Sequence, residues 1–111
     1  MMFRKYHNKK VVIDGMKFDS KKEASRWLEL KEMENNGVIY CLQRQVPFVL
    51  LDGEEGPDGK KLRPMKYIAD FVYCGLDGKQ VVEDSKGIKT DVYKIKKRLM
   101  WHIHRIAILE T

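Results

Sequence analysis

The sequence predicts a mixed α/β domain built on a central sheet, and three observations carry that reading. Ser20 stands three residues before Glu23, the S-x-x-E pattern that opens a helix. Residues 67–73 read YIADFVY, and a second extended run, Gln80–Lys86, follows across the Leu76-Asp77-Gly78 turn. A further amphipathic stretch covers about residues 91–104. The resulting order is helix, about three strands, helix, strand, which closes into a sheet flanked by helices.

Each element has its own local reason. Residues 1–10 read as a basic arm, and residues 11–111 as one domain. VVIDGMKF at 11–18 forms two short extended pieces around an Asp14-Gly15 turn. The first helix starts near Lys21. Ala24, Trp27, Leu28 and Lys31 keep helical spacing, and Leu30 and Met33 widen the apolar face. Asn35, Asn36 and Gly37 end it with residues that tolerate a left-handed backbone. Residues 38–51 are β-rich but contain Pro47, which implies an edge strand, a bulge or a break. Residues 52–64 are rich in turn formers. Thr90 or Asp91 caps the second helix. Val92, Ile95, Leu99 and either His102 or Ile103 make its apolar face; Lys94, Lys97 and Arg98 lie mostly on the other. Trp27 and Trp101 occupy apolar helical positions and read as core. Arg105–Leu109 is expected to form the last strand.

Composition narrows the class of protein. The chain has 111 residues, 43% of them apolar and 34% charged, as expected of one folded domain. No stretch approaches the roughly 18 apolar residues of a membrane span. The basic N-terminus has no apolar core behind it, so no secretory signal is expected. Cys41 and Cys74 form no C-x-x-C pair and read as reduced packing residues of a cytoplasmic protein. His7, His102 and His104 lack a third partner at metal-ligand spacing.

The net charge of +6 is concentrated at the two ends. Residues 1–10 hold four bases and no acid, and residues 86–105 hold seven bases and one acid. Basic faces of this kind attract phosphate backbones. Between them the balance is slightly acidic, which suits carboxylates kept for a cation.

One residue breaks the pattern of its strand. Asp70 lies inside YIADFVY among apolar and aromatic neighbours. A strand-interior carboxylate costs free energy to desolvate unless it is paired or bound to a cation. Strict alternation groups Asp70 with Ile68 and Val72, and Asp84 with Val82 and Lys86. A hairpin then brings Asp70 beside Asp84 and Lys86. Two carboxylates and an amine on one face suit metal-dependent phosphodiester hydrolysis, with Mg²⁺ or Mn²⁺ on the hard oxygens. Glu83 offers an alternative E-x-x-K reading, but alternation sets it opposite Lys86, so Asp84 is preferred.

Asp70, thirteen residues, then Asp84-Ser85-Lys86 resembles the signature of the PD-(D/E)XK nuclease superfamily, whose restriction-endonuclease-like domain has an αβββαβ core around a central mixed sheet. Over nearly its full length the chain also resembles a family of small phage and prophage proteins assigned to that superfamily. The blocks that carry this are KYHNKK, DGMKFDSKKEA, YIADFVY and VVEDSKGIKTDVYKIKKRLM. The motif pattern is similar to that of phage junction-resolving endonucleases and the transposon endonuclease TnsA. The resemblance implies that Asp70 and Asp84 bind the metal and that Lys86 is the catalytic lysine. It also matches Glu23 to a helix glutamate that some members add as a ligand; a capping role alone explains Glu23 equally. Ala69 stands where the motif has its proline.

These readings predict a Mg²⁺- or Mn²⁺-dependent endonuclease acting on structured or branched DNA, in a bacterial or phage-infected cytoplasm, in phage-type recombination or replication. Lys89, Thr90, Lys94, Lys97 and Arg98 are the expected backbone contacts. Gln43 and Gln45 lie on the strand before Pro47, within possible reach of the site. Paired cuts at a junction are compatible with a homodimer. The alternatives are a non-catalytic nucleic-acid-binding module of the same fold and a phage protein that binds another protein.

Overall fold

The computed structural model describes residues 10–85 and 88–111. Residues 1–9 of the predicted basic arm, with His7, lie outside them, as do Lys86 and Gly87. The chain opens with a hairpin of β1 (Val11–Ile13) and β2 (Met16–Phe18). Asp14 and Gly15 both have positive φ, 50° and 80°, as the two central residues of a tight hairpin turn require. Helix α1 (Lys21–Asn35) follows, with the Ser20 hydroxyl accepting from the Glu23 N–H. Its C-terminus closes through Gly37, at φ 75°, and a Val38 N–H bond to the Met33 carbonyl.

Next come β3 (Ile39–Leu51), a small hairpin of β4 (Glu54–Glu55) and β5 (Lys61–Leu62), β6 (Met65–Gly75) and β7 (Gln80–Asp84). Helix α2 (Asp91–His104) and the short β8 (Leu109–Glu110) complete the chain. The main sheet has the order β3-β6-β7-β8. The first two pairings are antiparallel and the last is parallel, so the sheet is mixed. No helix among the described residues is long and apolar enough to cross a membrane.

The two helices cover opposite faces. Trp27 and Leu30 of α1 pack with Phe18, Ile39, Phe71 and Tyr73. Tyr93 and Met100 of α2 pack with Leu50, Tyr67, Ala69, Val72, Val82 and Ile108. Neighbours 71, 72 and 73 alternate between the two cores, as a strand buried on both faces requires.

That alternation reverses at one step. Tyr67 and Ala69 face α2, but Phe71 and Tyr73 face α1. The partner strand reverses at the same level. Arg44 stacks over Phe18 on the α1 side, 4.2 Å from guanidinium to ring centre, whereas Val46 packs with the α2 core. The cause lies in Gln45, whose φ of 54° is left-handed and turns the strand over. Arg44 pairs with Phe71 and Val46 with Ala69, so Gln45 stands across from Asp70. Asp70 therefore does not share a face with both Ile68 and Val72: Ile68 is 53% exposed and Val72 is buried.

Pro47 sits on the edge strand of the main sheet, where a missing N–H is tolerated. A register irregularity falls between Tyr40 and Gln43, at Cys41 with φ 57°.

Three expectations for the C-terminal third are corrected. The face of α2 turned to the core carries Tyr93 and Met100, while Val92 and Ile95 are 62% and 59% exposed and Ile103 is also exposed. Leu99 of the expected face does pack against this core, partly buried, beside Tyr93 and Met100. Trp101 is half-exposed, with the Arg105 guanidinium 5.4 Å from its ring centre. The last strand begins later than Arg105, because Arg105 is the left-handed C-cap of α2, and its N–H and that of Ile106 close the helix onto Trp101 and Met100. The chain needs residues 106–108 to return to the sheet.

Candidate active site

The site forms where β6 and β7 run side by side. Phe71 pairs with Glu83 and Val72 with Val82, so the ladder continued by one step sets Asp70 opposite Asp84. The Ser85 N–H donates to Asp70 Oδ2 at 2.8 Å. Asp84 is fully buried, and its Oδ2 accepts the hydroxyl of Tyr67. One oxygen of each carboxylate is thus aimed by a fixed donor, the kind of outer support that orients metal-binding carboxylates.

Tyr67 and Tyr93 wall the α2 side, their ring centres 6.4 Å apart. Burial, then the bond to Asp84, pushes the Tyr67 phenol far above its ordinary range. Tyr93 moves the same way through burial and its bond to Glu110, with Asp84 and Asp70 adding to the effect. Both phenols therefore remain neutral donors. Neither tyrosine stands out in the sequence, because each reads simply as an ordinary strand or helix position. A tyrosine three residues before a strand-interior aspartate is the only local signal.

Glu83 occupies the opposite face of β7. It is fully buried, and Arg26 of α1 holds it with two 2.8 Å bonds. The Tyr73 hydroxyl and Thr111 also donate to it. Burial raises its pKa, but the bonds from Arg26 and Tyr73 outweigh that, and Glu83 sits below the usual carboxylate range. Glu83 is thus occupied as an internal ion pair with α1.

Glu23 is buried at the start of α1. Its Oε1 accepts from the Asp19 N–H at 3.3 Å, and its Oε2 accepts from the Gln45 amide at 3.1 Å. Burial is the largest influence and raises its pKa. Glu23 is tied to Gln45, the residue across from Asp70, by the oxygen its cap bond leaves over. Among the described residues, no three His, Cys, Asp or Glu side chains converge on a common point. Mg²⁺ needs no such cluster, since one or two carboxylates with waters commonly hold it. Asp70 and Asp84 carry the hard oxygens that such an ion takes. Lys86, two residues beyond Asp84, lies outside the described residues.

The expected backbone contacts divide into two groups. Lys89 and Lys97 both pair with Glu110, at 2.9 and 3.1 Å. The bonds from Tyr93 and Lys89, with that from Lys97, hold the Glu110 carboxyl down at about 2. Thr90 is the N-cap of α2, its hydroxyl accepting from the Tyr93 N–H. Lys94 and Arg98 are exposed on the helix.

The fold and this acid pair define a small mixed α/β domain with two carboxylates set side by side on neighbouring strands. The chain belongs to a family described as a protein of unknown function, DUF1064, which matches residues 3–107. No curated protein and no solved structure matches it.

Proposed function

We propose that the protein is a small divalent-metal-dependent endonuclease of the PD-(D/E)XK type, acting on structured or branched DNA. The observation that carries the reading is the Asp70–Asp84 pairing, with each carboxylate held by its own donor. The element order supports it: α1, then β3, β6 and β7, then α2 and β8 give αβββαβ once the two small hairpins are set aside. The charge distribution supports a polyanionic substrate.

In this reading Asp70 and Asp84 hold Mg²⁺ or Mn²⁺, and Tyr67 and the Ser85 N–H keep their carboxylates in place. The ion, when bound, supplies Lewis acidity to the phosphate and lowers the pKa of a coordinated water. Lys86 orients the attacking water or offsets charge on the phosphate. Glu23 supports the site from the α1 side through Gln45. Lys94 and Arg98 offer charge to the DNA backbone directly; Lys89 and Lys97 can exchange Glu110 for phosphate, because exposed ion pairs are weak.

The second reading is a non-catalytic nucleic-acid-binding module. It is favoured by Glu23, both of whose oxygens are engaged within the protein. Incubation with supercoiled plasmid separates the two. Nicking in Mg²⁺ or Mn²⁺ that EDTA abolishes supports the nuclease. Retardation of the plasmid without nicking, in either metal, supports the module.

A further inference from the structure

The described cavities include one that adjoins the acid pair. It is a groove of about 260 Å³ between β6 and α2, lined by Lys66, Tyr67, Ile68, Thr90, Tyr93 and Lys96, with Val92 at its edge. Tyr67 is shared: it is among the residues that line the groove, and its hydroxyl holds Asp84. Whatever occupies the groove therefore lies one side chain away from the candidate metal pair.

The lining has two kinds of chemistry. Lys66 and Lys96 supply positive charge, and among the described residues neither makes an ion pair, in contrast to Lys89 and Lys97 on Glu110. Ile68 and Val92 supply apolar surface at 53% and 62% exposure. Ile68 and Lys66 alternate with Tyr67 and so stand on the other face of β6; they meet the groove along the strand edge that β7 leaves open, since its pairing begins at Phe71. The combination suits a ligand with alternating anionic and flat apolar parts. A single nucleic-acid strand is such a ligand, with phosphates for the lysines and unstacked base faces for the aliphatic side chains. A duplex keeps its base faces stacked, and its cross-section is far too wide for a groove of this volume.

We propose that the groove between β6 and α2 binds an unpaired nucleic-acid strand, with Lys66 and Lys96 on its phosphates and Ile68 and Val92 against its bases. The proposal rests on the nuclease reading only for what happens next to the groove, since it assigns the unpaired strand that flanks the cut. It places substrate recognition in a single-stranded flank, as at a flap or a frayed junction.

The test is fluorescence anisotropy in EDTA, with a labelled single-stranded oligonucleotide and a blunt duplex of the same length. Wild type is compared with the double variant Lys66→Glu, Lys96→Glu and with Ile68→Ser, each checked for an unchanged thermal melt. The charge reversal is expected to weaken single-strand binding by about tenfold or more and to reduce its salt slope by about 2. Ile68→Ser is expected to weaken single-strand binding with the salt slope unchanged. Duplex binding is expected to change less than about twofold, because the other basic residues remain. Equal losses on both nucleic acids would overturn the single-strand assignment. Unchanged single-strand binding would overturn the groove as a nucleic-acid site and leave a protein partner as its occupant. Because no cleavage is read, a protein that never cuts DNA can still pass this test, and an active nuclease can fail it.

Discussion

The Ser85 N–H bonds to Oδ2 of Asp70 across 2.8 Å, tying the carboxylate of one strand to the residue that follows the carboxylate of the next. The contact sets two acidic groups side by side in the sheet, where a divalent cation would find two hard oxygen donors. Asp70→Asn and Asp84→Asn should each lower metal-dependent cleavage by more than about a hundredfold, since even outer-shell changes at metal sites cost 10- to 100-fold. Asparagine still accepts from Ser85 or Tyr67, so unfolding free energy should shift by no more than about 2 kcal/mol. Cleavage rates and urea melts of the same preparations check both halves.

Tyr67 is a positioning residue in this account, acting through Asp84. Tyr67→Phe keeps the ring against Tyr93 and removes the hydroxyl bond. The expected result is a 10- to 100-fold weaker response to Mg²⁺, read as a shift in the metal concentration at half-maximal rate. An unshifted midpoint would contradict a role for the Tyr67 hydroxyl through a metal-binding Asp84.

Glu83 and Arg26 form the internal ion pair on the other face. Arg26→Ala should destabilise the protein by about 3–5 kcal/mol, because it strands a buried carboxylate. The joint change Arg26→Met, Glu83→Leu should cost much less. Glu83 titrates below its ordinary value in the folded protein, so the unfolded chain binds its proton first as pH falls. Its contribution is therefore complete above the ordinary carboxylate range and is lost as pH drops through the lower folded value. Glu23, raised by burial, contributes with the opposite sign. Thermal melts between neutral and acid pH should show the loss in wild type and a shallower one in the joint variant.

The two faces of α2 differ in burial. Met100 is fully buried, and Met100→Ala should cost about 2–5 kcal/mol. Ile95 is mostly exposed, and Ile95→Ser should change stability by no more than about 0.5 kcal/mol. Equal losses at both positions in denaturant melts would mean that the Ile95 face is covered in solution.

Local signals made most of the fold legible. The Ser20–Glu23 pair marks the start of α1, the Asp14-Gly15 turn marks the first hairpin, and Thr90, already a candidate cap, opens α2. What stayed hidden depends on tertiary choices. Val92 and Ile95 compete with Tyr93 and Met100 for the core, and helical periodicity accepts either set. The reversal at Asp70 follows from the left-handed Gln45 on a neighbouring strand, which no alternation rule within YIADFVY contains. The bond between Glu23 and Gln45 joins residues 22 apart, so the cap pattern alone could not show it.

The most direct measurement is cleavage of labelled single-stranded, duplex, flap and four-way-junction DNAs by wild type and Lys86→Ala, in Mg²⁺, Mn²⁺ and EDTA. The account predicts metal-dependent cutting by wild type, strongest on a substrate with an unpaired flank, and its loss in Lys86→Ala and in EDTA. Cutting that persists in EDTA, or salt-sensitive binding with no cutting in either metal, would contradict it.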